Sequence, residues 1–184
     1  MLPMLPNNKL ARVFLIITFF GLLATLLAVL YNNFITRNIS ISEPLGYYLK
    51  LPISNIERGN RYLLCVYDEP HLNVMHKFGL PKVKNECVYD APYILKQVAG
   101  IPNDEVLVTE SGVLINGLLQ QNSKQIMVYK NVDLLPLPIG FYKRLESDEY
   151  FVLGVTTTSY DSRYFGTIRK GQFYKRVVLL MNND

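Results

Sequence analysis

Tryptophan is absent from these 184 residues, cysteine and histidine occur twice each, and charged residues make up only 18%. Two cysteines are too few to staple a miniprotein with disulfides. Glycine, at 11, and proline, at 10, are too sparse for a collagenous or low-complexity chain. Nor does the composition suit a disordered chain, since 49% of it is hydrophobic. A basic run is also missing. Lys+Arg outnumber Asp+Glu by 19 to 15, but two of those positive charges, Lys9 and Arg12, stand in front of the most apolar stretch. No cluster of basic residues interleaved with aromatics follows, so the net charge of +4 does not argue for a nucleic-acid partner. The length suits one domain, with an anchor and enough chain for a packed core.

What is present is one long hydrophobic run. From Val13 to Tyr31 the chain reads VFLIITFFGLLATLLAVLY, with no charge and only Thr18 and Thr25 as polar interruptions. As a helix rising about 1.5 Å per residue it spans roughly 28 Å, close to the roughly 30 Å hydrocarbon core. Threonine hydroxyls can return to the preceding turn, so neither forbids insertion. A cleavable signal would end in small residues at −3 and −1, whereas this run ends Val29-Leu30-Tyr31-Asn32-Asn33. A core helix would carry a polar stripe, and this one is apolar all round. The expectation is a retained transmembrane anchor at 13–31. Lys9 and Arg12 before it, against Arg37 after it, place residues 1–12 in the cytoplasm and 32–184 on the far side.

Cys65 and Cys87, 22 positions apart, permit a single bridge. In an oxidising compartment, closing a loop of that size stabilises the fold by about 3 kcal/mol in the chain-entropy picture. A zinc site is a competing reading, because His71 and His76 fall between the cysteines, and two free thiols are a third. The spacing Cys-x5-His-x4-His-x10-Cys lacks the close CxxC pairs of ordinary zinc modules. The histidines by themselves read as solvated residues of a loop.

After the anchor the period changes. Short apolar or alternating runs recur at Tyr62–Tyr67, Tyr93–Ala99, Glu105–Thr109, Gly112–Ile115, Gln125–Tyr129, Tyr150–Val155 and Arg176–Met181. Rich in Val, Ile, Leu and Tyr and too short for helices, they read as strands. Asn116-Gly117 is the dipeptide that a two-residue type I′ hairpin demands. No stretch after the anchor sustains a helical period, and residues 68–92 read as a loop clipped by the cysteines. The fold class is therefore mainly β, behind one N-terminal transmembrane helix.

Three segments concentrate polar groups where a plain strand would not want them. In Ser40-Ile41-Ser42-Glu43-Pro44-Leu45-Gly46-Tyr47, Pro44 biases Glu43 to extended geometry and Gly46 permits a sharp turn, a frame that can hold a serine hydroxyl exposed. In the second, Lys96 is flanked by Ile94, Leu95, Val98 and Ala99, so it either points to solvent by alternation or is partly buried. Burial would depress its pKa and make it a competent base for a serine hydroxyl. In the third, Ser159-Tyr160-Asp161-Ser162-Arg163-Tyr164-Phe165-Gly166, Ser159, Asp161 and Arg163 share one face of an extended segment. Each has a bland alternative: a serine-rich linker, a solvated lysine, a salt-bridged loop.

In this order, the three segments resemble the boxes of the serine/lysine signal peptidase family, and within it the conjugative-transfer signal peptidases of the TraF type. The likeness covers most of residues 38–169. Ser42-Glu43-Pro44-Leu45-Gly46-Tyr47-Tyr48 fits the opening S-x-P-x-G-x-Y box, and Leu95-Lys96-Gln97-Val98 through Pro102-Asn103-Asp104 fits the lysine box. The hairpin at Val113–Gly117, the closing Ser159–Gly166 and the cysteine pair are further similarities. Two positions depart: Asn103 stands where family members have glycine, and Gly154-Val155 where they usually have Gly-Asp.

The resemblance implies a signal-peptidase-like β domain at 32–184 that works without cofactor or metal. Ser42 would be the nucleophile and Lys96 the general base, with Asp161 counted as catalytic support. The backbone N–H of Ser42 and the hydroxyl of Ser40 would form the oxyanion hole, Ser159 would hydrogen-bond and orient Lys96, and Arg163 would hold the segment together. A Ser-His-Asp hydrolase is set aside, since neither His71 nor His76 sits in a catalytic frame. The implied protein lies in a bacterial inner membrane with its catalytic domain in the periplasm. Its partners would be the membrane and a precursor carrying a signal peptide, in the conjugative subgroup a pilin. The alternatives are a general type I signal peptidase and a non-catalytic β-module of a secretion system.

Overall fold

The computed structural model describes residues 9–80, 87 and 91–182. It divides into two compact units, Met1–Thr36 and Arg37–Asp184. The first contains helix α1, Lys9–Phe34, none of whose residues is buried. It is the one helix among the described residues long and apolar enough to cross a membrane. Thr18 Oγ1 donates to the carbonyl of Phe14 at 2.6 Å and Thr25 Oγ1 to that of Leu22 at 2.8 Å, so both polar side chains are satisfied within the helix.

The second unit is mainly β. Its large sheet combines β1 (Ile35–Asn38, whose last two residues open the unit), β2 (Gly46–Leu51), β3 (Arg61–Cys65), β4 (Tyr93–Gly100), β11 (Glu149–Leu153), β12 (Ile168–Arg169) and β13 (Phe173–Asn182). Their spatial order is β1-β2-β13-β3-β4-β11-β12. A smaller sheet, in the order β10-β5-β6-β7, contains β5 (Glu105–Thr109), β6 (Gly112–Ile115), β7 (Leu118–Leu119) and β10 (Tyr142–Arg144). A hairpin pairs β8 (Val128–Tyr129) with β9 (Val132–Asp133).

Central strands are apolar on successive residues because both of their faces are covered. Tyr62 and Leu64 of β3, Ile94 and Val98 of β4 and Val152 of β11 join the main core. Leu63 and Leu95 point the other way, onto Tyr48 and Val177. On β11, Tyr150 and Val152 enter the main core while Phe151 and Leu153 enter the core of the smaller sheet. Beta-11 thus joins the two layers.

Two asparagines carry tight turns. Asn116 and Gly117 take φ of 51° and 79° between β6 and β7, the left-handed pair of a type I′ hairpin. Asn103 has φ 71°, a conformation that glycine adopts without cost and asparagine better than most other residues. Its substitution for glycine is therefore compatible with the turn that leads into Asp104.

Several sequence expectations need correction. Residues 68–92 are not all loop: α2 spans Glu69–Lys77, with Pro70 in its first turn and Val74 and Met75 buried. Leu72 and Phe78 also pack against the core, so the apolar face exists, but nine residues are too few to register as a sustained period. Residues 81–86 and 88–90 of that stretch lie outside the described residues. His71 and His76 are half-buried on α2 rather than solvated in a loop. The His71 ring nitrogen Nδ1 lies 2.8 Å from the Tyr160 hydroxyl. Ser162–Phe165 forms a one-turn helix, α3, rather than an extended segment, because Asp161 accepts the backbone N–H of Arg163 and caps it. The run Gln125–Tyr129 is a strand only at Val128–Tyr129, and β2 and β10 fall where no strand was expected. The expected single bridge does form: Cys65 and Cys87 are disulfide-bonded, with Cα atoms 5.5 Å apart.

Candidate active site

The opening box folds as a turn held from outside. Asn38, at the end of β1, donates through Nδ2 to the carbonyls of Ser40 at 2.9 Å, Glu43 at 2.9 Å and Pro44 at 3.0 Å. Tyr48 on β2 donates its hydroxyl to the same Pro44 carbonyl at 2.7 Å. Pro44 keeps the preceding backbone out of helical geometry, so the turn breaks instead of winding on. Ser42 lies at its apex, 9% exposed. Its carbonyl is anchored as well, accepting the backbone N–H of Val155 at 2.8 Å.

Lys96 arrives from the middle of β4, directly opposite Tyr62 of β3. Alternation, left open by the sequence, resolves toward the interior: Lys96 shares its face with Ile94 and Val98, both in the main core. It is 4% exposed, and its Nζ donates to Ser42 Oγ at 2.9 Å. Burial drives the pKa of this ammonium from 10.5 down to about 8. The carboxylates of Asp161 and Glu43 pull it back up and the Arg163 guanidinium pushes it further down. With a pKa near 8 a minority of the amine is neutral at pH 7, and that form, bonded to a serine hydroxyl, can take its proton.

The third segment is organised by Arg163, which is fully buried. Its Nε and Nη2 meet Asp161 at 2.8 Å each, a two-point carboxylate pair. The remaining donors reach the carbonyls of Asn122, Lys124, Thr156, Thr157 and Ser159. Burial disfavours the guanidinium charge, but Asp161 more than offsets this and holds its pKa above the ordinary value. Asp161 also accepts the N–H of Gly154 at 2.9 Å. Backbone groups at 154 and 155 therefore tie the β11 end to both Asp161 and Ser42, with no carboxylate at position 155.

Six sequence-predicted residues can be placed. Ser42 and Lys96 are in hydrogen-bond contact, and Asp161 and Arg163 act on the charge of Lys96. Ser40 Oγ lies 3.0 Å from Ser42 Oγ and accepts the Ser42 N–H at 3.3 Å, so the two expected oxyanion donors stand next to Ser42 and are bonded to each other. Ser159 departs from expectation. Its hydroxyl is buried without a hydrogen-bond partner, because Lys96 is turned to Ser42 and Ser159 is packed against Gly154.

Three further residues shape the site. Glu43 is 1% exposed and its Oε2 accepts the Arg61 Nε at 2.6 Å. Gly154 leaves room for nothing larger: a Cβ there would lie 2.6 Å from Ser159 Cβ and 2.7 Å from the Ser42 carbonyl oxygen. Asn38 clips the serine turn. The only sequence signal for Glu43 was its place between Ser42 and Pro44; its pairing with Arg61 joins residues far apart in the chain.

Comparison with known proteins adds the following. The family model for signal peptidase, peptidase S26, matches residues 9–181. Two Escherichia coli proteins, each named plasmid transfer protein TraF, are similar to the chain. One is 31% identical over 150 residues, covering 73% of this chain and 76% of its own. The other is 30% identical over 141 residues, covering 73% and 75%. A crystal structure of a signal peptidase I from Enterococcus faecalis is similar over 70% of this chain and 99% of its own, at 20% identity and a TM-score of 0.37, too loose a likeness to carry an argument.

Proposed function

Because this chain belongs to the signal peptidase S26 family, we propose that it is a membrane-anchored serine endopeptidase that removes leader peptides through a Ser42/Lys96 dyad. The single observation that carries the reading is the 2.9 Å contact from Lys96 Nζ to Ser42 Oγ, made by a lysine that burial has brought to a pKa of about 8. In this mechanism neutral Lys96 takes the proton as Ser42 Oγ attacks the scissile carbonyl. The protonated lysine then returns the proton to the leaving amine, and an acyl-enzyme remains on Ser42. Lys96, neutral again, activates the water that resolves it. Charge on the tetrahedral oxygen falls to the Ser42 N–H, once it leaves the Ser40 oxygen that it meets in the free chain, and to the Ser40 hydroxyl. Losing one such donor typically costs about 2.7–4 kcal/mol of transition-state stabilisation. Asp161 favours the lysine charge that forms during attack, and Arg163 holds Asp161 in place.

The apolar α1 supports an anchor with residues 1–12 in the cytoplasm and the β unit in the periplasm, where an inserted precursor emerges. Similarity to two plasmid transfer proteins supports a substrate from the same process, a conjugative pilin precursor. Cleavage of a radiolabelled precursor by the purified full chain tests the reading. Ser42→Ala and Lys96→Arg should each abolish processing. Arginine supplies length and charge but stays protonated, so it cannot accept the serine proton. Cleavage by Lys96→Arg near the wild-type rate would remove the dyad.

A further inference from the structure

Glu43 follows the nucleophile directly, yet the dyad does not use it. Its carboxylate is buried at 1% exposure, an expensive place for a charge, and only one of its oxygens is engaged. That oxygen, Oε2, accepts the Nε of Arg61 at 2.6 Å, while Oε1 has no hydrogen-bond partner. Arg61 is the first residue of β3 and stands opposite Gln97, next to the Tyr62–Lys96 pair. The ion pair therefore runs from the residue beside the nucleophile to the strand beside the base. Asn38, Tyr48, a backbone bond to Val155 and the Lys96 contact to Ser42 hold the serine turn as well, and the Gln97 backbone bears on Glu43.

Resting on the dyad reading above, we propose that Glu43 is a positioning residue: paired with Arg61, it seats the serine turn against the lysine strand and sets a carboxylate on the lysine's side of the site. The charge has a consequence for catalysis. Burial raises the Glu43 carboxyl pKa, and Arg61 and Lys96 pull it back toward the charged form; a charged Glu43 in turn favours the protonated form of Lys96. Without some such carboxylate, burial would drive the lysine pKa lower, and a base that is too weak takes the serine proton poorly. Glu43 thus holds the base stronger than its burial alone would leave it.

The groups facing Lys96 from each neighbouring element are few. From the serine turn come Ser42 and Glu43, and from the segment at 161–165 come Asp161 and Arg163. Tyr62 stands opposite on β3, with its hydroxyl committed to the Asn55 carbonyl and the Glu57 N–H. Tyr48 on β2 interacts with Glu43 and Arg61, and burial raises its pKa, so it stays neutral in the working range. The end of β11 offers only Gly154 and Val155. Asp161 bears on the lysine more than Glu43 does, but its removal would strand the fully buried Arg163, whose charge opposes its effect. Glu43, paired with the partly exposed Arg61, is therefore the carboxylate whose removal reads out with less disturbance.

The test is the pH profile of precursor cleavage by the full chain in detergent micelles, with Ser42→Ala as the blank. The wild-type rate should rise with pH as Lys96 loses its proton. Glu43→Gln should move that acid limb down by about 1 pH unit, the low end of what an opposite charge nearby produces. Glu43→Asp, which keeps the charge, should restore most of the limb. Glu43→Gln/Arg61→Gln replaces the ion pair with two neutral partners and should shift the limb downward as well, which keeps the test open if the single variant folds poorly. An acid limb that stays put or moves up in the folded variants overturns the proposal. A merely structural role would lower the rate at every pH and leave the limb where it was. Activity in the Ser42→Ala blank would instead overturn the dyad.

Discussion

Replacing Gly154 with alanine should separate fold from function at this site. The glycine lies where β11 ends, and its N–H is already committed to Asp161. An added Cβ would stand 2.6 Å from Ser159 Cβ and 2.7 Å from the Ser42 carbonyl oxygen, and closer still to Ser159 Oγ. Ordinary contact begins near 3.4 Å, so both backbone-bound neighbours must retreat by about 0.7–0.8 Å. Neither has slack. The Ser42 carbonyl is bonded to Val155, and the Ser159 carbonyl to Arg163. Overpacking of this kind costs about 1–3 kcal/mol, a fraction of a domain's roughly 5–15 kcal/mol, so the fold should survive. Activity should suffer more, because moving a nucleophile by about 1 Å costs about 100-fold. The assay pairs chemical denaturation with kcat/KM for precursor cleavage. A second change, Ser159→Gly, clears the serine contacts but not the carbonyl, so it should restore activity only in part. Gly154→Ala with cleavage within threefold of wild type would refute the steric argument.

Two other outcomes follow from the same geometry. In Lys96→Met the buried charge is gone. Since the folded pKa of about 8 lies below the unfolded 10.5, wild-type Lys96 destabilises the fold fully below pH 8 and progressively less as pH rises toward 10.5. The variant should therefore be more stable at pH 7, by up to about 3 kcal/mol, with the difference closing over that window in urea unfolding series. Reducing Cys65–Cys87 should cost about 3 kcal/mol of stability. Cleavage should fall as well, because α2 lies within the bridged loop and its His71 contacts Tyr160, between Ser159 and Asp161; thermal melting and cleavage with and without reductant measure both.

Much of this protein is written locally. An uncharged run such as Val13–Tyr31 becomes a helix long and apolar enough to cross a membrane because no neighbour is needed to satisfy its backbone. Asn116-Gly117 becomes a hairpin because its two positive φ angles are a property of the dipeptide. The strands at Glu105–Thr109 and Gly112–Ile115 follow from their own alternation and that turn. Motif resemblance singled out Ser42 and Lys96, whose order and spacing survive in one dimension; their 2.9 Å contact belongs to the folded chain. Helix α2 was not legible, because nine residues hold too few turns to show a period and its apolar face has meaning only against the core. Alternation in β4 could not say which face would be wet, since Leu95 and Lys96 are both covered, by different cores. Only the assembled sheets brought Arg61 to Glu43, Arg163 to the distant carbonyls of Asn122 and Lys124, and Ser159 so close to Gly154 that no side chain fits. The chemistry of the site depends on that assembly. A lysine becomes a base near neutrality only when water is removed from around it, and the residues that exclude the water, from β3, β4, β11 and the Asp161 turn, meet only in the folded chain.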